Sequence, residues 1–198
     1  MLIQLLLIIS AYLIGSIPFG YLIARLFKGI DIREFGSHNI GATNVLRVVG
    51  PFPAVLTFLL DMGKGTAVVL FAKSFASFTL LPIIVGICVI CGHNFSIFLR
   101  GKGGKGIATG SGVLVGLAPV VAFFTFLIWL ISFGFSRYVS LSSLIASLAI
   151  PLLFWLRKAE PSLLILGILI FILVVIRHRE NIKRLIKGTE PKIRLGRR

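Results

Sequence analysis

Long apolar runs, separated by short polar breaks, make up most of this 198-residue chain. The runs cover 1–24, 51–72, 76–99, 106–135, 139–156 and 162–176. The first carries no charged residue and, as a helix, is long enough to cross the roughly 30 Å of hydrocarbon in a bilayer. It lacks the positive start and the small-residue cleavage site of a signal peptide, so we expect it to be retained. The pattern predicts an all-α, polytopic transmembrane protein.

The fourth run decides the number of spans. It is long for a single crossing, and "GLAP" at 116–119 is a sequence typical of a turn. We therefore divide it into helices over about 106–117 and 119–135, although each half is short for a full crossing. The division predicts seven spans, with the N-terminus outside and the C-terminus in the cytoplasm.

The charges support this orientation. The chain has 21 Lys and Arg against 6 Asp and Glu, a formal net charge of +15, and only 14% charged residues with a mean hydropathy of +1.04. A soluble domain would carry about a quarter charged residues. The positive-inside rule places 25–50, 100–105 and the tail from about 177 in the cytoplasm. We expect one membrane domain over 1–198, ending in a basic tail that lies in the membrane interface.

Three polar clusters interrupt the apolar pattern, all on the predicted cytoplasmic side. They read "GSHNIGATNVLR" at 36–47, "GHNFSIFLRGKGGKGIATG" at 92–110 and "RHRENIKRLIKGTE" at 177–190. All three histidines of the chain fall within them. We therefore expect the polar chemistry of the protein at this membrane surface.

The second cluster has the composition of an anion site. Glycine exposes backbone N–H groups, and these, together with the positive end of a following helix and Lys105, favour phosphate. A Walker loop is excluded because Ile107 and Ala108 stand where Lys and Ser or Thr are required. A dinucleotide fold is excluded because a transmembrane run precedes the glycines and no acid follows at the required distance. The alternative is a flexible basic loop that only fixes topology.

The other clusters supply hydrogen-bonding groups and charge. Arg47 could clamp a phosphate with two parallel hydrogen bonds, although an ordinary capped loop remains open for the first cluster. The third begins a basic amphipathic helix, for which a solvated tail is the alternative. Asp61 and Lys64, three residues apart within the second run, are expected to form a structural pair. Cys88 and Cys91 are expected to be buried, inert thiols rather than a redox or metal pair.

These clusters favour a phosphorylated substrate whose other end can be lipid. Metal-dependent lipid-phosphate chemistry needs several carboxylates, and the chain has two Asp and four Glu, so we expect no metal. No histidine is followed by the aspartate of the usual acyltransferase dyad, which excludes that family. An enzyme, a carrier for a phosphorylated anion and a noncatalytic membrane scaffold remain open from the residues alone.

The clusters, in this order, resemble motifs of the bacterial acyl-phosphate:glycerol-3-phosphate acyltransferases. "GSHNIGATNVLR", "GHNFS" with "GGKGIAT", and "RHRENIKRL" carry the resemblance, which covers nearly the whole chain. It implies transfer of a fatty acyl group from acyl phosphate to the 1-hydroxyl of glycerol 3-phosphate, giving lysophosphatidic acid and phosphate in phospholipid biosynthesis. It further implies a seven-span fold in the bacterial inner membrane, a cytoplasmic active site, and no cofactor or nucleic acid. A peripheral enzyme that supplies acyl phosphate is compatible with it.

The resemblance also assigns site residues. It implies that the acyl-phosphate headgroup is held by Ser37, Asn39, Gly41, Thr43, Asn44, Gly103 and Gly104. It implies that glycerol phosphate is bound by Arg47, Lys105, Ser143 and His178, and that Asn181 contacts the attacking hydroxyl. Arg47, Lys105, His178 and Asn181 are the expected catalytic residues. His38 departs from the usual family pattern, and we assign it no catalytic role.

Overall fold

The structure is a computed structural model that describes residues 2–75 and 80–193, and the regular secondary structure within them is all helical. Its α-helices are α1 (Leu2–Ser16), α2 (Phe19–Lys28), α3 (Ala42–Val48), α4 (Pro51–Ser74), α5 (Leu80–Asn94), α6 (Ile107–Leu117), α7 (Pro119–Ser136), α8 (Val139–Leu156), α9 (Pro161–Arg177) and α10 (Arg179–Ile186). Short 3₁₀ helices lie at Ile32–Glu34 and Ile97–Leu99. The predicted all-α membrane fold is confirmed at this level.

Proline and glycine account for several helix boundaries. Pro51, Pro119 and Pro161 each occupy the first helical position, where the missing N–H removes no hydrogen bond. Gly29 ends α2 in the left-handed conformation, with φ of 68°. The predicted division of the fourth run is confirmed, since α6 ends at Leu117 and α7 begins at Pro119.

Within residues 2–75 and 80–193, five helical segments are long and apolar enough to cross a membrane by themselves. They are Leu2–Lys28, Pro51–Ser74, Leu80–Leu99, Pro119–Ser136 and Val139–Leu156. Helices α9 and α10 together raise the number to as many as six, with a bend of 63° between them, and α6 has only 11 residues. The seven-span count and the orientation therefore stay predictions. Residues 76–79, the start of the predicted third run, lie outside the described residues.

The first of two compact units, Met1–Leu117, is built on close helix pairs. Helix α1 packs against α5, and α4 packs against α6. A Cβ atom at Gly92 would overlap the backbone of Tyr12, and one at Gly112 would overlap the backbone of Met62. Such close approach favours helix association in lipid, where the hydrophobic effect between helices is weak. Thr66 adds a hydrogen bond from its hydroxyl to the carbonyl of Gly112, at 2.9 Å.

The second compact unit, Ala118–Arg198, consists of α7, α8 and α9 with the short helix α10 and the tail. Helix α8 packs against both α7 and α9. Large apolar side chains remain exposed along all three helices, Phe135 by 90%. A contiguous apolar surface of this kind is what a lipid-facing helix requires. That the chain acts as one domain over 1–198 remains a prediction.

Two expectations about the second and third runs can be compared directly with the structure. Asp61 and Lys64 form the predicted pair, with Nζ 2.7 Å from Oδ1 and both side chains almost fully buried. Cys88 and Cys91 are unpaired thiols, as expected, but they are half-buried rather than buried. They lie on α5, an apolar helix whose surface is only partly covered by the rest of the protein.

Candidate active site

The first polar cluster folds into a loop built around Asn44. Its side chain is 1% exposed, and Oδ1 accepts a hydrogen bond from the backbone N–H of Ser37 at 2.8 Å. Its Nδ2 donates to the carbonyls of Ile32, Phe35 and Asn39 at 2.9–3.2 Å. Asn44 therefore holds the loop together through both the oxygen and the nitrogen of its amide. The sequence alone did not indicate this role.

Asn39 shapes the end of the same loop. Its Oδ1 accepts the backbone N–H of Gly41 at 2.9 Å, and Gly41 then caps α3. Thr43 and Arg47 follow on that helix, with Arg47 exposed at its last turn. His38 has a positive φ of 57° and its Nδ1 lies 2.9 Å from the carbonyl of Arg33. The six predicted residues of this cluster thus share one loop and one short helix.

The glycine turn, Gly101–Gly106, leads from the 3₁₀ helix at Ile97–Leu99 to the start of α6. Gly101 and Gly106 have φ of 78° and 80°, conformations that favour glycine. The N–H of Gly104 donates to the carbonyl of His93 at 2.9 Å. Lys105, partly exposed, precedes the first residue of α6 by two positions, close to the predicted helix start.

Two buried polar residues beside the glycine turn were not among the predicted site residues. Asn94 is fully buried, and neither polar atom of its amide has a hydrogen-bond partner among the described residues. A Cβ at Gly106 would lie 2.8 Å from its Oδ1. Thr109, in the first turn of α6, likewise has a buried hydroxyl without such a partner. Both residues lie inside motifs of the second cluster, which was the available signal.

A cavity of about 390 Å³ lies within the first unit, beside the second cluster. It is lined by Tyr21, Arg33, Phe98, Leu99, Arg100 and Lys102. Arg33 donates to both oxygens of Asp31, Nε to Oδ1 at 2.9 Å and Nη2 to Oδ2 at 2.6 Å, which lowers the pKa of that carboxyl. The exposed side chains of Arg100 and Lys102 add positive charge beside the glycine turn.

In the second unit, His178 stands where α9 ends and α10 begins. It is 3% exposed, and its Nδ1 lies 2.8 Å from the carbonyl of Val174. A carbonyl only accepts hydrogen bonds, so Nδ1 carries a proton. The second ring nitrogen, Nε2, is then the one that could accept a proton or contact a substrate when the ring is neutral.

Asn181 belongs to a buried hydrogen-bond group centred on Glu190. Oε1 of Glu190 accepts from Asn181 Nδ2 at 2.6 Å and from Ser140 Oγ at 2.7 Å, while Oε2 accepts from Arg184 Nε at 2.7 Å. Burial raises the pKa of Glu190, but the bonds from Ser140, Asn181 and Arg184 outweigh it and the net shift is downward. Glu190 was not predicted, because its partners lie 9 and 50 residues away along the chain.

Ser143 lies on α8 and is 2% exposed. Its hydroxyl donates to the carbonyl of Val139 at 2.8 Å and accepts the indole N–H of Trp129 at 3.2 Å. The predicted residues of this unit, Ser143, His178 and Asn181, thus lie on α8 and α10 and at the α9–α10 junction. In residues 2–75 and 80–193, no group of three or more His, Cys, Asp or Glu side chains is placed to hold a metal ion.

Known proteins match nearly the whole length of the chain. A family model described as glycerol-3-phosphate acyltransferase matches residues 5–188. A glycerol-3-phosphate acyltransferase of Desulforamulus reducens is 47% identical, over 94% of this chain and 93% of its own length. One of Parasynechococcus marenigrum is 44% identical, over 96% and 89%.

Solved structures give the same result. The crystal structure of PlsY (YgiH), an integral membrane glycerol 3-phosphate acyltransferase, in its glycerol 3-phosphate form is 44% identical and covers 96% of both chains, with a TM-score of 0.92. Its lysophosphatidic acid form is 43% identical, covers 96% of this chain and 95% of its own, and has a TM-score of 0.90. The chain belongs to the glycerol-3-phosphate acyltransferase family.

Proposed function

We propose that this membrane-integral glycerol-3-phosphate acyltransferase uses acyl phosphate as its donor. The acyl group passes to the 1-hydroxyl of sn-glycerol 3-phosphate and gives lysophosphatidic acid and inorganic phosphate, the first acylation of phospholipid synthesis. The reaction takes place at the cytoplasmic face of the bacterial inner membrane. The observation that carries the proposal is the match along 96% of the chain to a structure solved in glycerol 3-phosphate and lysophosphatidic acid forms.

The first unit supplies groups suited to the donor's phosphate. In this unit α3 carries the cation Arg47, and the glycine turn carries the cation Lys105 two residues before α6. Glycine N–H groups and a lysine before a helix N-terminus are a recurrent phosphate-binding combination. Ser37, Asn39, Gly41, Thr43, Gly103 and Gly104 complete this donor site in the proposal.

The second unit supplies groups suited to the acceptor. His178 and Asn181 are buried near the end of α9, and the contacts of Glu190 with Asn181 fix its amide. In the proposal His178 and Ser143 help to bind glycerol phosphate, while Asn181 contacts the attacking hydroxyl.

The proposed reaction is one direct displacement at the acyl carbon. The glycerol oxygen forms the new ester bond while the bond from the acyl carbon to the phosphate-bearing oxygen breaks. The hydroxyl proton ends on the released phosphate, so the step balances without a cofactor. The donor is already activated, and orientation with neutralisation of two phosphate groups supplies the rate.

Incubation of purified protein in detergent with palmitoyl phosphate and labelled glycerol 3-phosphate tests the proposal. Coenzyme A and metal ions are left out, and a chelator is added. We expect labelled lysophosphatidic acid with release of one phosphate per ester formed. If instead labelled glycerol 3-phosphate enters proteoliposomes unchanged and no lipid forms in detergent, the protein is a carrier and the proposal is wrong.

A further inference from the structure

A buried polar cluster that the proposed reaction does not use lies against the glycine turn. It consists of Asp61 and Lys64 on α4 and His93 on α5, whose side chains are 2%, 3% and 4% exposed. Ionisable groups inside a membrane segment are costly and are retained for a specific role. Because the cluster lies against the glycine turn, support of that turn is the first role to consider.

The cluster joins three side chains at one point. Nζ of Lys64 lies 2.7 Å from Asp61 Oδ1, 2.9 Å from the carbonyl of Ile17 and 3.1 Å from His93 Nδ1. The same Nδ1 lies 3.3 Å from Asp61 Oδ1. The ring of His93 is thus held on its Nδ1 side by both Asp61 and Lys64.

The opposite side of His93 supports the glycine turn. Its carbonyl accepts the N–H of Gly104 at 2.9 Å. A Cβ atom at Gly103 would overlap that carbonyl, and one at Gly104 would overlap the edge of the ring at Nε2. The turn is thus seated on both the backbone and the imidazole of His93, one residue before Lys105.

Lys64 also joins the cluster to the break in the first span. Helix α1 ends at Ser16 and α2 begins at Phe19, which leaves the carbonyl of Ile17 outside both helices. Lys64 donates to it, so one side chain connects the break, the carboxylate and the imidazole. A contact made by all of these groups at once is rigid, because moving one leaves another buried group without its partner.

We infer that Asp61, Lys64 and His93 are positioning residues that hold the glycine turn in its phosphate-binding conformation. They touch no substrate; Asp61 and Lys64 hold the ring of His93, and His93 supports Gly103 and Gly104. The catalytic consequence rests on the proposed function, whereas the structural consequence for the turn does not. Loss of the ring should loosen the turn and weaken binding of the acyl-phosphate headgroup.

The test compares His93→Ala, His93→Asn and Thr57→Val in purified protein. Asn offers an oxygen near the position of Nδ1, so it can accept from Lys64 and restore part of the support. Thr57 is the matched control, a fully buried α4 residue whose hydroxyl donates only within its helix, to Pro53 at 2.8 Å. Hydrogen exchange of the peptide over 101–106 is measured without substrate, and KM and kcat are measured with palmitoyl phosphate.

For His93→Ala we expect faster exchange confined to the glycine turn and a KM for palmitoyl phosphate raised roughly 10- to 100-fold, with kcat changed less. His93→Asn should recover part of both effects, and Thr57→Val should match the wild type. Unchanged exchange and KM in His93→Ala would overturn the inference. So would exchange that rises equally along all of α4 and α5, which is the signature of a general packing defect.

If the wild type transfers no acyl group, the proposed function fails. The exchange results still decide the positioning role, because they are measured without substrate.

Discussion

At the scale of single residues, Lys105 and Arg47 provide the cations of the proposed donor and acceptor sites. Replacing either with Ala should lower kcat/KM by about 100-fold or more, because a phosphate charge in the bound state loses its compensation. Initial rates of label transfer measure the effect. Lys102→Ala, an exposed change in the same turn, is the control and should retain activity. Full activity in both Lys105→Ala and Arg47→Ala contradicts the assignment.

Asn181 has a different predicted signature. Because it is proposed to contact the attacking hydroxyl, Asn181→Ala should lower kcat more than it raises KM for glycerol 3-phosphate. Ser140→Ala is a matched control, since it removes another donor to the same oxygen of Glu190. It should leave kcat near the wild-type value. A pure affinity defect in Asn181→Ala argues against the proposed contact.

Local spacing predicted the residues whose partners are near in sequence. Asp61 and Lys64 form an i, i+3 pair, and the structure confirms it. The partners of Asn44 are backbone groups up to 12 residues away, so its position at the centre of the loop required the fold. His93 and Lys64 are 29 residues apart and lie on different helices, so local spacing did not predict their contact. The sequence of the third polar cluster did not indicate the role of Glu190.

At the scale of elements, Glu190 attaches the tail to α8 and α10. Its pKa is lowered below its ordinary value of 4.5, so its contribution to stability is present above that value and is lost as the pH falls through the lowered pKa. Glu190→Gln should therefore reduce Tm at pH 7. The free energy of unfolding should fall by about 1.5–3 kcal/mol, the usual contribution of hydrogen bonds to a charged group.

Thermal unfolding in detergent between pH 7 and pH 3 measures this dependence. The difference in Tm between the wild type and Glu190→Gln should shrink as the pH falls. A difference that stays constant over the whole range would show that the carboxylate charge is not what attaches the tail.

Helix boundaries were predictable where the chain is punctuated. The starts of α4, α7 and α9 follow from prolines at 51, 119 and 161, and "GLAP" marked the division of the fourth run. The break between α1 and α2 was missed, although Pro18 was its signal. The run is continuously hydrophobic across the break, and hydrophobicity indicates that a segment lies in lipid but not where its backbone bends.

At the scale of the whole molecule, the predicted orientation places all three polar clusters on the cytoplasmic side. Single cysteines at Lys158 and Lys187, in a Cys88→Ala/Cys91→Ala background, test it in oriented vesicles. A membrane-impermeant maleimide should label Lys187→Cys from the cytoplasmic face and Lys158→Cys from the opposite face. Labelling of both from the same face contradicts the seven-span topology.

The most direct test of the proposed chemistry follows the acceptor oxygen. Glycerol 3-phosphate carrying ¹⁸O in its 1-hydroxyl is incubated with palmitoyl phosphate and purified protein, and both products are analysed by mass spectrometry. Direct attack at the acyl carbon predicts that the isotope remains in the ester of lysophosphatidic acid and that the released phosphate carries none. Isotope in the phosphate, or an ester without it, would contradict the mechanism.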